Sequence, residues 1–220
     1  VGIDTLSFTG YEGNMHDLIT IVKNLRRQGI IITLSSHMPN FSLGGEEFYD
    51  YSPNITEGDC GKRIMPGGDL NEKYCRFLDM IADFASACVD VEGEKIPMIF
   101  RPFHECNGSW FWWGQDLCTT EQYKALWQMT YDYMEKERGL DNLVWAYSPG
   151  AGGITPELFA ERYPGDEIID LIGFDCYQYS TDEVYISDMK NALEVMSAFN
   201  QGRCKLMAVT ETGYEGIPNP

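Results

Sequence analysis

Two glutamates carry the chemistry this sequence makes legible. Glu105 lies in the run Arg101–Gly114, which reads RPFHECNGSWFWWG, and Glu211 lies in Val209-Thr210-Glu211-Thr212-Gly213. Each follows an apolar, strand-like stretch. Two carboxyl groups that face one another can divide labour: one keeps its proton as an acid, and the other stays ionised as nucleophile or base. Hydrolysis of a glycosidic bond needs that division. A lone Glu after a strand is equally a helix cap or a surface residue. What sets Glu105 apart is its company: Arg101, His104, Trp110, Trp112 and Trp113. Aromatic faces stack on the C–H faces of sugars, and the same cluster also serves to stiffen a loop.

Rival chemistries fare worse. His104-Glu105 opens a zinc-protease motif, but that motif needs a helix and a second His at position 108, where Gly108 stands. The other histidines are His16, in a helical stretch, and His37, which like His104 follows a strand and is a candidate ligand contact. A site built on two histidines would need carboxylate help, and neither metal nor cofactor is expected. No nucleophile elbow, catalytic-cysteine signature or phosphate loop is present. Cys106 has no neighbour that would activate it. Seven cysteines, an odd number with no CxxC pair, give neither a disulfide scaffold nor a redox motif. The sequons at Asn54 and Asn107 carry little weight.

Composition narrows the classes further. With 44% hydrophobic and 13% aromatic residues the chain can bury a core, which excludes wholesale disorder. Lys+Arg is 16 and Asp+Glu is 34, a formal net charge of −18 that repels phosphate backbones, so nucleic acid is not an expected partner. No apolar run reaches the ~18 residues of a membrane span. Val1-Gly2-Ile3-Asp4 has neither the basic region nor the cleavage pattern of a signal peptide.

The elements that must position these residues alternate. Strands are expected at Gly2–Asp4, Ile30–Leu34, Ile96–Phe103, Leu143–Tyr147, Ile168–Phe174 and Lys205–Thr210. Between them lie helical patterns: one capped by Asn14 and stopped by Gly29, one opening at Asn71, one with a Thr119/Gln122 capping box, and one carrying Met189, Leu193, Met196 and Phe199. Residues 39–70 read as a long functional loop. Near-continuous apolar strands between amphipathic helices argue a parallel sheet covered on both faces. A doubly wound sheet and a (β/α)8 barrel both fit. Polar residues at nearly every strand end, Asp4, Ser35 to His37, Arg101 to Glu105, Tyr147-Ser148, Asp175 to Tyr177 and Glu211, favour the barrel, which gathers them round one mouth. Glu105 and Glu211 then fall three strands apart, on facing walls.

The run Arg101–Gly114 resembles the acid/base signature of glycoside hydrolase family 26, the β-mannanase family among the retaining (β/α)8 enzymes. Ile30–His37, Tyr163-Pro164-Gly165-Asp166 with Ile172–Tyr177, and Thr210–Gly213 extend the resemblance over essentially the whole chain. Cys106 departs from it, standing where the family usually has an apolar residue such as Met. The resemblance implies an α/β fold, the (β/α)8 TIM barrel, here incomplete: strands two to seven are visible and the first and eighth are missing. It implies a single catalytic domain over residues 1–220, truncated at both ends and lacking the family's subsite Trp on the eighth strand. It implies Glu105 as acid/base and Glu211 as nucleophile, His104 and Trp110 against the sugar, Tyr177 bonded to the nucleophile, Asp175 in support, Arg101 orienting Glu211 and His37 lining the glycone side. Trp113 belongs to the same expected substrate-binding set. The implied activity is retaining hydrolysis of internal β-1,4-mannosidic bonds, with no cofactor and with β-mannan as partner. Mixed-linkage β-glucan, β-1,3-xylan, or a non-catalytic carbohydrate-binding role are the alternatives. A polysaccharide cannot enter a cell intact, so a secreted, cell-surface or periplasmic location is expected.

Overall fold

The computed structural model describes residues 1–9, 12–44 and 54–213, without the side chains of residues 12 and 13. Part of the expected functional loop at 39–70 therefore lies outside the described residues. All six expected strands form: β1 (Gly2–Asp4), β2 (Ile32–Ser36), β3 (Met98–Pro102), β4 (Leu143–Tyr147), β5 (Leu171–Tyr177) and β6 (Leu206–Gly213). They pair in chain order, every pair parallel. The sheet curls as an incomplete α/β barrel.

The helices follow their local signals. The first, α1 (Glu12–Arg27), ends where Gly29, at φ 75°, lets the chain reverse. Gly29 N donates to Arg26 O and Ile30 N to Leu25 O, the paired bonds of a Schellman motif. That motif uses Ile30, so β2 begins two residues later than expected. Asn14 is not the cap: it lies inside α1, with its amide on Ser7 O. Next come a short α2 (Cys60–Arg63) and α3 (Asn71–Ala87). The capping box of α4 (Thr120–Tyr131) forms between Thr119 and Gln122. A helix the sequence did not announce, α5 (Pro156–Glu161), is started by Thr155, whose Oγ1 accepts from Leu158 N, and by Pro156 in the first turn. The last, α6 (Asp182–Phe199), is capped by Thr181.

Strand alternation divides the sheet into two faces. Ile32, Leu34, Met98, Phe100 and Trp145 are buried in one apolar cluster with Phe77, Ile81 and Phe84 of α3 and Trp127 of α4. The alternate residues Thr33, Ser35, Ile99 and Arg101 line a cavity of about 310 Å³ together with Thr210 and Glu211 of β6. Continuous burial on both faces holds for β5 but not for β6, whose Leu206, Met207 and Val209 are exposed. β6 is an edge, and no strand among the described residues pairs with its far side.

Close approach of β5 and β6 depends on Gly173. A methyl group there would lie 2.6 Å from Thr210 Cγ2 and 2.9 Å from Ala208 O. We expect Gly173→Ala to force the strands apart, lowering unfolding free energy by about 1–3 kcal/mol in chemical denaturation.

Candidate active site

Glu105 is not the last residue of a strand but lies in the turn beyond β3. Phe103 and Glu105 both adopt left-handed backbone, at φ 54° and 53°. Residues with a Cβ enter that region at a cost and stay there only when surroundings hold them. Here Tyr123 OH donates to Phe103 O at 2.8 Å, and Glu105 N donates to Ser148 O at 2.8 Å. Asn107 then clamps the turn to the β4–α5 loop, accepting from Gly150 N at 2.7 Å and donating to Gly150 O at 2.9 Å.

Glu211 is placed by a bulge. Phe174 pairs with Val209 and Asp175 with Glu211, so Thr210 is the extra residue on β6. The bulge sets Glu211 beside Asp175 and turns Thr210 Oγ1 onto Asp175 Oδ1 at 2.5 Å. Arg101, at the barrel interior, binds both carboxylates: Nη1 donates to Asp175 Oδ2 at 2.8 Å and Nη2 donates to Glu211 Oε1. Nη1 also donates to Ser148 Oγ at 3.1 Å, and Tyr177 OH donates to Glu211 Oε2 at 2.7 Å. Each oxygen of Glu211 thus has a donor, an environment suited to a carboxylate anion.

Glu105 is differently placed. Its Oε2 accepts only from Trp110 Nε1, at 2.7 Å, among the described residues. Burial lifts its pKa above the usual carboxylate range; the Trp110 bond pulls against that rise and the negative charge of Glu211 adds to it. Glu105, Asp175 and Glu211 each offer an oxygen within 4.8 Å of one another. Burial, opposed by Arg101 and aided by Glu211, pushes Asp175 up to about 7. On the other side, His37 Nε2 lies 3.2 Å from His104 Nε2, and both rings have a nitrogen within 4.8 Å of a Glu211 oxygen. Burial first, then the charges of Arg101 and His37, hold His104 well below the usual histidine range, so its ring is neutral. The two groups with ligand spacing, Glu105/Asp175/Glu211 and His37/His104/Glu211, share Glu211, whose oxygens already accept from Arg101 and Tyr177.

Eight of the nine residues singled out from the sequence meet here. Trp113 does not: it is 0% exposed and has no face to offer a sugar. Its ring stacks on Phe111 at 4.4 Å, and its Nε1 donates to His104 O at 2.8 Å, so it supports the turn from below. Trp112 is likewise buried and bonded to Pro39 O; of the three tryptophans only Trp110, 37% exposed, opens to solvent. Sequence reasoning gave no role to Asp4, Asn107, Ser148 or Tyr179. Asp4 and Ser148 were visible as polar strand ends. Tyr179, 88% exposed, had no signal beyond its type. It lines a cleft of about 350 Å³ with Glu105, Trp110, Tyr177 and Asp188. Cys106 is buried, its thiol raised by burial, and its Sγ reaches Tyr147 OH, which fits an inert role. All seven cysteines are free thiols, and no helix among the described residues is long and apolar enough to cross a membrane.

Comparison with known families agrees with this geometry. The sequence model of glycosyl hydrolase family 26 matches residues 7–219. The chain belongs to this family. Among its relatives, a mannan endo-1,4-beta-mannosidase of Bifidobacterium adolescentis is 34% identical over 213 residues, covering 93% of this chain and 20% of that protein. One of Bacillus subtilis is 32% identical over 191 residues, covering 84% and 49%. The solved structure of a family 26 beta-mannanase from Bacteroides ovatus superposes with a TM-score of 0.86 at 36% identity, over 99% of this chain and 62% of that one. The chain therefore spans half or less of the length of these two curated relatives.

In this family 26 chain the charge of Glu211 adds to the rise in the pKa of Glu105. Replacing Glu211 by Gln removes a negative charge, so the pKa of Glu105 is expected to fall. NMR titration of the Glu105 side-chain carboxyl carbon checks this, and an unchanged or raised value would contradict it.

Proposed function

We propose that the enzyme hydrolyses internal β-1,4-mannosidic bonds of mannan-type polysaccharides by double displacement, with Glu105 as acid/base and Glu211 as nucleophile. The observation that carries this reading is the close approach of two carboxyl groups in unlike surroundings: Glu211 between two donors, Glu105 lifted by burial. Their oxygens within 4.8 Å of one another fit a retaining pair, for which about 5–5.5 Å between carboxyl groups is typical.

In the first step Glu211 attacks the anomeric carbon as Glu105 gives its proton to the bridging oxygen. The C1–O bond breaks, the leaving chain departs as an alcohol, and Glu211 becomes an uncharged glycosyl ester. The negative charge that favoured the proton on Glu105 is then gone. Its pKa falls, and Glu105 can take a proton from water as the water oxygen bonds C1 and releases Glu211. Mannan as substrate rests on the relatives named above. A polymer does not cross a membrane intact, so the enzyme is assigned to the cell surface, the periplasm or the medium.

Glu105 separates the two halves of the bound chain, because the sugar beyond it is the leaving group. The cleft lined by Glu105, Trp110 and Tyr179 is therefore assigned to the leaving-group side, and His37 to the side of the sugar that is attacked; His104, expected against the sugar, is 1% exposed and backs His37 instead.

In the intact enzyme, Glu211→Ala should abolish hydrolysis yet leave mannooligosaccharide binding measurable by calorimetry; retained turnover refutes the nucleophile assignment. Glu105→Ala should lose about 10²–10⁴-fold on polysaccharide but far less on an activated aryl mannoside, whose leaving group needs no proton. Equal losses on both would refute the acid role. Release of reducing sugar from lichenan or β-1,3-xylan rather than mannan would replace the substrate while leaving the mechanism. Tyr179→Ala should raise KM on mannan with little change in kcat, the signature of lost binding common to ground and transition states. An unchanged KM would remove Tyr179 from the cleft's function.

A further inference from the structure

Asp4, the last residue of β1, takes no part in the reaction as written above, yet its carboxylate is the junction between the first two strands and the site. Its Oδ2 accepts from His37 Nδ1 at 2.6 Å, from His37 N at 3.2 Å and from Ser35 Oγ at 3.3 Å. Its Oδ1 accepts from Leu6 N at 3.0 Å. The opposite nitrogen of the same ring, His37 Nε2, faces His104 Nε2 at 3.2 Å. The result is a line of hydrogen-bonded groups, Asp4–His37–His104, that ends within reach of Glu211.

Proton bookkeeping along this line is restrictive. An ionised carboxylate only accepts, so the short bond at Asp4 places a proton on His37 Nδ1. Two ring nitrogens at hydrogen-bond distance need one proton between them. Either His104 donates and His37 is neutral, or His37 is doubly protonated and donates. In the first state the buried His104 Nδ1, which has no partner among the described residues, is a bare lone pair; in the second it is a stranded N–H. A stranded buried N–H is the rarer and costlier of the two. In both states the proton on His37 Nδ1 is the fixed element, and Asp4 fixes it.

We propose that Asp4 is a positioning residue of the reaction: by holding a proton on His37 Nδ1 it fixes the His37 ring and the His37–His104 hydrogen bond that walls the attacked side of Glu211. It acts through His37 and touches no reacting atom. The proposal rests on the reading of Glu211 as nucleophile. Among the described residues, the ionisable groups that bear on His37 are Asp4 from β1, Arg101 from β3, His104 and Glu105 from the turn after β3, and Glu211 from β6. Burial alone would lower the pKa of His37, but the bond to and charge of Asp4, joined by the charge of Glu211, outweigh burial and Arg101 and raise it. Burial would likewise raise Asp4, and its bonds to His37 and Leu6 bring it down instead. Both shifts act in the same sense: Asp4 stays an acceptor, and the proton on His37 Nδ1, common to the two states, is held in place.

The direct test is nitrogen NMR of the histidine rings in the intact enzyme at neutral pH, with His37 assigned from a His37→Gln variant. The expected spectrum has His37 protonated at Nδ1, alone or together with Nε2. A His37 ring bare at Nδ1 and protonated only at Nε2, the form favoured in free solution, overturns the proposal, and this reading needs no variant at Asp4. Kinetics give the second arm. Asp4→Asn keeps the shape but loses the charge, and should lower kcat on mannan about tenfold or more with a smaller change in KM. In a His37→Gln background the same change should add no further loss, because its effect passes through His37. Equal losses with and without His37 would show that Asp4 merely braces β1 and would refute the positioning role. Failure of the nucleophile reading shows up separately, as turnover retained in Glu211→Ala.

Discussion

One guanidinium sits where three strands of the curled sheet need a positive charge. Arg101 on β3 reaches Asp175 on β5 and Glu211 on β6, and it is itself almost wholly buried. Bringing two carboxylates out of water side by side is unfavourable, and their mutual repulsion makes it more so. Arg101 offsets both costs with a planar fork whose amino groups point at two different strands. Removal of one partner from a buried ion pair commonly costs about 3–5 kcal/mol, because the others remain buried and unbalanced. The carboxylate geometry at the mouth of the sheet, and the left-handed turn that carries Glu105 next to Ser148, are arranged around that bridge.

The bridge also gives two glutamates so close together the unlike surroundings that the proposed roles require. Glu211 shares Arg101 with Asp175 and accepts a second bond from Tyr177. Glu105 receives one indole N–H, and burial with the negative charge of Glu211 outweighs that bond and the more distant charges of Arg101 and His37. In the proposed reaction that difference is temporary. Esterification of Glu211 leaves Arg101 matched one-to-one with Asp175 and frees Glu105 from the repulsion that held its proton. In that reaction the acid of the first step thereby becomes the base of the second.

Much of this was legible in the residues, and the parts that were not share a cause. The strands showed as apolar runs because parallel strands under helices have little polar surface. The apolar run Ile30–Leu34 overstates β2 because the backbone N–H of Ile30 closes the Schellman motif after Gly29 instead of joining the sheet. The Asn14 cap failed because a capping residue type occurs inside helices as well. The position of Glu211 against Asp175 depends on a one-residue bulge at Thr210, and the presentation of Glu105 depends on left-handed backbone at Phe103 and Glu105, neither of them glycine. Such features are imposed by tertiary contacts and leave no periodic trace. The same holds for Trp113: three tryptophans within an irregular turn give no pattern that tells the exposed Trp110 from its buried neighbours. Asp4 announced itself only as a polar strand end, and its partner lies more than thirty positions away.

In the proposed reaction Glu211 bonds covalently to sugar while Glu105 moves the proton. Covalent trapping tests it most directly. The intact enzyme would be incubated with a mannoside that carries fluorine at C2, to slow both steps, and an activated leaving group, to let the first proceed. Mass spectrometry of the protein and its peptides would follow. The expected result is a stoichiometric mass increase of one glycosyl unit, located on the peptide containing Glu211 and lost on transfer to an acceptor sugar. An adduct on Glu105, or turnover of the unmodified substrate with inversion at C1, would contradict it.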